Sequence, residues 1–136
     1  GQGMIEVADL IDRFGADELQ NLTDREAHAV IDHAVVGRAI ADAEAEVNSY
    51  LAPVGLVGIT PPKALIIKAC DIARYYLHED GATGIVKERY LQAIAWLKEV
   101  MKHPEMLTGM GDTTPAQPLP SVAVRPNELP AKPWAN

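Results

Sequence analysis

Apolar residues recur along most of this chain at helical spacing, and residues 61–80, PPKALIIKACDIARYYLHED, show it most fully. At about 100° per residue, Leu65, Ile66, Ala69, Cys70, Ile72, Ala73, Tyr76 and Leu77 fall on one broad face. Lys68, Asp71, Tyr75, His78 and Glu79 fall opposite it. Two prolines suit a first turn, where the missing N–H is not needed, and Gly81 stands where a helix stops. So wide an apolar face is buried only against several neighbours, so the pattern predicts a helix at the centre of a small bundle.

The remaining segments supply those neighbours. Residues 7–14 set Leu10, Ile11 and Phe14 on one side and end at Gly15, which predicts a short helix. Residues 16–22 add a turn or two with Leu19 and Leu22 inward, and Thr23 and Asp24 open a polar loop. Residues 34–51 place Val36, Ile40, Ala43, Val47 and Tyr50 or Leu51 at alternating spacings of four and three, the seam of a packed helix that Pro53 ends. Residues 52–60, APVGLVGIT, are aliphatic without a period. They predict an apolar loop, covered either by a partner surface or by folding back on the core. A last helix runs from an N-cap at Thr83 to about Lys102, with Val86, Tyr90, Ala93, Ile94, Leu97, Val100 and Met101 on one face and Trp96 at its border. It is the antiparallel partner of the central helix.

From Pro104 onward the pattern is lost, because seven of the ten prolines lie there. That composition predicts an extended arm whose Leu119, Val122, Val124, Leu129 and Trp134 dock on their own subunit or, preferably, on a neighbour. The expected fold is therefore all-α: a small helical bundle of three longer helices plus one or two short N-terminal helices, with an extended proline-rich C-terminal arm. Residues 4–103 form the helical domain and 104–136 the arm. Gly1, Gln2 and Gly3 before Met4 read as a remnant of an expression tag.

Composition narrows the class. With 136 residues, 48% of them hydrophobic, the chain has enough apolar material for one core. No apolar run approaches the roughly 20 residues of a membrane span, which predicts a cytosolic or virion protein. The net charge of -7 weighs against a dedicated nucleic-acid binder. Its distribution says more: residues 1–50 carry eleven acids and three bases, a balance of -8, and residues 51–136 about +1. That asymmetry reads as a solvated acidic face, or as one half of a head-to-tail contact with another subunit's basic helices.

Catalytic chemistry is hard to find in the residues. His28, His33, His78 and His103 fall in separate segments, without a second ligand at metal-binding spacing. Residues 23–32, TDREAHAVID, invite comparison with a calcium loop, but Ala29 stands at the required glycine and Val35 at the required glutamate. Cys70, the one cysteine, sits on the apolar face and reads as a buried small hydrophobe. Asp71 and Arg74, one turn apart, read as a local ion pair that also makes an inter-helix or intersubunit contact, while Tyr76 packs inside and Tyr75 stays outside. No catalytic, cofactor or metal residue is assigned, and enzymatic activity is not expected. The candidate subunit interface comprises Lys68, Asp71, Arg74 and Tyr75 on the central helix, Val54, Leu56, Val57 and Ile59 on the aliphatic loop, and Leu119, Val122, Leu129 and Trp134 on the arm. On this reading Ile72→Asp unfolds the domain, whereas Arg74→Glu leaves it folded and impairs assembly.

Several pieces together, DLIDRFG at 9–15, LTDRE at 22–26, IDHAVVGRAIADAEAEVNSYL at 31–51, ACDIARYYL at 69–77 and VKERYLQAIAWLK at 86–98, resemble the Mu-type phage neck protein family. Its members resemble the helical head-tail connector, or adaptor, proteins of long-tailed phages. The resemblance runs from about Met4 to Lys102 and does not reach the arm. This chain departs from it after LTDR, and again after SYL, where APVGLVGIT stands. The resemblance implies a structural virion protein assembling as a homo-oligomeric ring, usually twelvefold, at the head-tail junction. Its partners would be the portal protein and tail-side neck proteins, and DNA would pass through the channel without specific binding. It implies no cofactor and no membrane association, and host cytoplasm as the location before assembly. The alternatives are a small helical nucleic-acid-binding regulator and a carrier of a small molecule within the helical core.

Overall fold

A computed structural model describes residues 3–24, 26–78, 81–82 and 84–108. Among them are six α-helices: α1 (Val7–Phe14), α2 (Ala16–Thr23), α3 (His33–Leu51), α4 (Lys63–Leu77), α5 (Gly84–Lys102) and α6 (Glu105–Thr108), with a 3₁₀ turn at Ala52–Val54. The all-α bundle with three longer helices expected from periodicity is the observed fold.

Local chemistry sets most of the boundaries. Asp9 closes the start of α1, its carboxylate accepting from the Glu6 N–H at 2.8 Å, a reciprocal cap that satisfies end groups a helix cannot pair itself. Gly15 joins α1 to α2 at φ 93°, a conformation that a Cβ disfavours. Asp32 caps α3 by accepting from the N–H groups of Ala34 at 3.0 Å and Val35 at 3.3 Å. The expected N-cap of α5, Thr83, lies outside the described residues.

The three long helices pack on one another, α4 against both α3 and α5, and α3 against α5. α1 and α2 lean on α3 and α4. Val36, Ala43 and Val47 of α3, Ala69, Cys70, Ile72 and Ala73 of α4, and Ala93, Leu97 and Val100 of α5 are wholly buried. The alanines at these seams let the helix backbones approach closely, and the branched residues fill the space between them. Ile40, Tyr50, Tyr90, Ile94 and Trp96 are partly buried against this cluster.

Three details differ from the expectation. Met101, assigned to the inner face, is 38% exposed, because the buried stripe of α5 runs through Ala93, Leu97 and Val100 and leaves Met101 at its border. Leu56, named among the candidate interface residues of a loop expected either to meet a partner or to fold back on the core, does the latter and is buried: the 3₁₀ turn brings its N–H to the carbonyl of Leu51 at 3.0 Å. Packing also continues past residue 103. Pro104 begins a new helical turn, with its carbonyl accepting from the Leu107 N–H at 3.0 Å, and Leu107 is buried.

Candidate interaction surface

The polar side of α4 is where the sequence placed the subunit contact, and most of its charge is answered within the chain. Asp71 is buried at 3% exposure. Its Oδ1 lies 3.6 Å from Nη2 of Arg13 on α1 and has no hydrogen-bond partner. Burial raises its pKa, while Arg13, Arg89 and Lys68 pull against that rise. Arg74 turns from Asp71 to Glu18 of α2 and holds it through two parallel bonds, Nε to Oε2 at 2.7 Å and Nη2 to Oε1 at 3.0 Å. The guanidiniums of Arg74 and Arg13 lie over the Phe14 ring, 4.4 and 5.4 Å from its centroid. The local Asp71 and Arg74 pair expected from their spacing is therefore replaced by two long-range pairs, while the inter-helix contact expected of both residues is present. The reason is geometric: α1 and α2 dock across this side of α4 and bring opposite charges nearer than the next turn can.

A second cluster joins the far end of α4 to α3 and α5. The rings of Tyr75 and Tyr90 stack at 3.9 Å with 10° between their planes, and Tyr76 meets Tyr75 edge-on at 5.8 Å. Glu46 of α3 accepts from both Tyr76 Oη and Tyr90 Oη, the latter at 3.1 and 3.2 Å. Burial raises the pKa of both phenols and the Glu46 carboxylate raises it further, so both stay protonated as donors. The expected division between the two adjacent tyrosines does not hold. Tyr76 is 36% exposed with its hydroxyl at a surface carboxylate, and Tyr75 is half-buried under a neighbouring ring.

Large aliphatic side chains remain outside. Val57 is 51% exposed, with Val54 and Ile59 half-buried beside it. With Met4 and Pro61, Val57 and Ile59 rim a groove of about 320 Å³ that also contains Glu44 and Asn48. On the outer side of α5, Leu91 is 53% exposed on a stripe shared with Gly84, Lys87, Glu88, Gln92 and Ala95. Val30, in the loop between α2 and α3, is 52% exposed. Lys68 is half-buried. The arm residues Leu119, Val122, Leu129 and Trp134 lie outside the described residues.

Sequence reasoning missed Arg13, Phe14, Glu18 and Glu46 as organising residues. Glu18 and Arg74 are 56 positions apart, a separation to which no periodicity is sensitive. The loop considered as a calcium site spends its first carboxylate on its own backbone. Asp24 accepts from the N–H groups of His28 at 2.9 Å and Ala29 at 2.6 Å, and the His28 bond leads the effects that hold its pKa below the ordinary value. No group of metal-ligating side chains gathers among the described residues, and none of the described helices is long and apolar enough to cross a membrane. Cys70 is buried, and burial pushes its thiol up to about 12.

The sequence matches the family model described as Bacteriophage Mu, Gp36 over residues 5–123. That match takes in α1 to α6 and continues into the proline-rich segment, past the end of the resemblance read from the motifs. Gene product J of Escherichia phage Mu is 33% identical over 96 residues, which cover 69% of this chain and 68% of that protein. A match across nearly the whole helical body, together with this relative, establishes the lineage: the chain belongs to the bacteriophage Mu Gp36 family.

Proposed function

We propose that this protein is a structural component of the phage virion, a head-tail connector subunit that closes into a ring between the portal protein and the tail-side neck proteins. Membership of the Mu Gp36 family carries this reading. The chemistry of the surface is compatible with it. Asp71, Arg74 and Tyr76 of α4 are committed within the chain, whereas Val30, Val57, Ile85 and Leu91 stay outside, and aliphatic side chains of this kind suit contacts between subunits.

A ring needs no active site. Each subunit presents two different surfaces, and one rotation repeated head to tail closes the set, leaving a channel through which DNA passes without sequence-specific contacts. Within the interface expected from the sequence, Val54, Val57, Ile59, Lys68 and Tyr75 remain the residues for such contacts. Leu56, Asp71 and Arg74 act inside the subunit. A reconstruction of virion necks, with the mass of the isolated neck complex, tests the proposal. The expected result is a closed ring of this chain between portal and tail; particles that lack the protein overturn it.

A further inference from the structure

We propose that the helix pair α1–α2 is exchanged between copies of this chain: on assembly it leaves its own α4 and docks on the α4 of the next copy, making there the bonds it makes on its own chain. The inference rests on the ring reading and names a contact that closes the ring.

The single chain already displays how the two surfaces fit. The N-terminal segment meets the long helices through Ile5, Leu10 and Leu19, each buried. Polar bonds join them as well: the Ile5 N–H donates to Glu44 at 3.1 Å, Arg74 holds Glu18 through two parallel bonds, and Arg13 lies beside Asp71. Each of these contacts runs from the pair or its lead-in to the body, so each is equally available to the pair of another copy. Exchange keeps them all and changes only the copy that supplies Arg13 and Glu18. The three long helices also pack on one another directly, so a copy that lends its pair retains a body to receive the next.

The tie between the pair and α3 favours the exchange. Residues 26–30 are all exposed, so the body does not hold them. Ala27 and Ala29 both sit at φ 59°, left-handed backbone that a residue with a Cβ enters at a cost. That strain belongs to the closed turn and is released when the tie straightens, and strained hinge loops invite exchange. The closed turn is held by Asp24, which accepts from the N–H groups of His28 and Ala29, and by the Thr23 hydroxyl, which accepts from the Asp32 N–H at 2.9 Å. All three donors belong to exposed residues, where water replaces such bonds at small net cost. Straightened, residues 24–32 span at most roughly 30 Å, about the width of a small domain. That reach sets the pair on an adjacent copy and no farther. Because the lent pair and the receiving α4 are unlike surfaces, the contact repeats head to tail, the arrangement a ring requires.

Charge reversal on separate chains tests the exchange. Full-length Arg74→Glu sets two carboxylates against each other, and full-length Glu18→Arg sets two guanidiniums together, so in each variant alone α1 and α2 should lose hydrogen-exchange protection. In an equal mixture at high concentration, every pair lent to the other chain meets a group of opposite charge. The expected result is a severalfold recovery of protection in α1 and α2 on mixing. Native mass spectrometry with one chain isotopically labelled should then show oligomers holding both chains in equal number. Protection in the mixture equal to the average of the two variants overturns the proposal. Adding Ala27→Gly and Ala29→Gly to both chains relieves the closed turn and should raise the concentration at which mixed oligomers form by roughly fivefold for each position; an unchanged concentration also overturns it. A ring of this chain in virions whose variants show no rescue removes the exchange and leaves the connector reading. Rescue by a protein absent from virions retains the exchange and removes the ring.

Discussion

Asp71 holds a carboxylate at 3% exposure with one oxygen lacking a hydrogen bond and Arg13 at 3.6 Å to answer its charge. Removing one partner of such a pair costs more than the pair itself is worth, because the remaining charge stays desolvated. Arg13 is 28% exposed, which softens the effect. Arg13→Ala should therefore destabilise the fold by about 1–3 kcal/mol at neutral pH, and adding Asp71→Asn should recover much of that loss. Burial raises the folded-state pKa of Asp71, so ionisation opposes folding as the pH climbs through that value, and below the unfolded value the penalty is absent. The cost of Arg13→Ala should accordingly grow between pH 4 and pH 7. Urea melts at the two pH values check this, and equal costs at both would contradict the account.

At the scale of elements, α1 and α2 are fastened differently from the rest. The long helices share a continuous apolar core, whereas α1 and α2 add Leu10 and Leu19 to it and are clasped to α4 by Arg13, Arg74, Glu18 and Phe14. Arg74→Glu, expected from the sequence to spare the fold, sets two carboxylates against each other beside Phe14. It should cost about 1–3 kcal/mol and be partly rescued by Glu18→Arg. Hydrogen exchange should localise the effect, with α1 and α2 losing protection while α3 to α5 keep theirs; uniform loss of protection would show that the clasp is not a separate unit. Ile72→Asp, which puts a charge at a wholly buried position, should unfold the domain, and Leu97→Ala should cost about 2–5 kcal/mol in a denaturant melt.

For the whole molecule, the informative surface is apolar rather than charged. Val57 lies on a loop whose neighbour Leu56 already anchors it to the core, so the exposed side chain is free to serve another function. Val57→Asp should shift unfolding by no more than about 0.5 kcal/mol, as is usual for surface changes. On the connector reading it should nonetheless reduce incorporation into particles severalfold. Immunoblots of purified virions against a melt of the same variant separate the two effects; normal incorporation would remove the aliphatic loop from the assembly surface.

The helices were legible in the sequence because helical periodicity is local: residues 7–14 and 34–51 announce their apolar stripes and their stops within a few positions. The motifs from DLIDRFG to VKERYLQAIAWLK likewise carried the phage family. The polar half of the reading was less legible. Spacing along α4 placed Lys68, Asp71 and Arg74 on one solvated side and made Asp71 and Arg74 partners. Two further helices packing on that side buried Asp71 and redirected Arg74 to Glu18. Leu56, named for an interface, folded back on the core, through one hydrogen bond to Leu51. The sequence alone determined helices α1 to α5, their order and most of the apolar residues each had to bury, since those follow from the period of the chain. Only the tertiary structure decided which charge meets which, because Coulomb partners are chosen by distance in space and nothing in the spacing along a helix reports that distance.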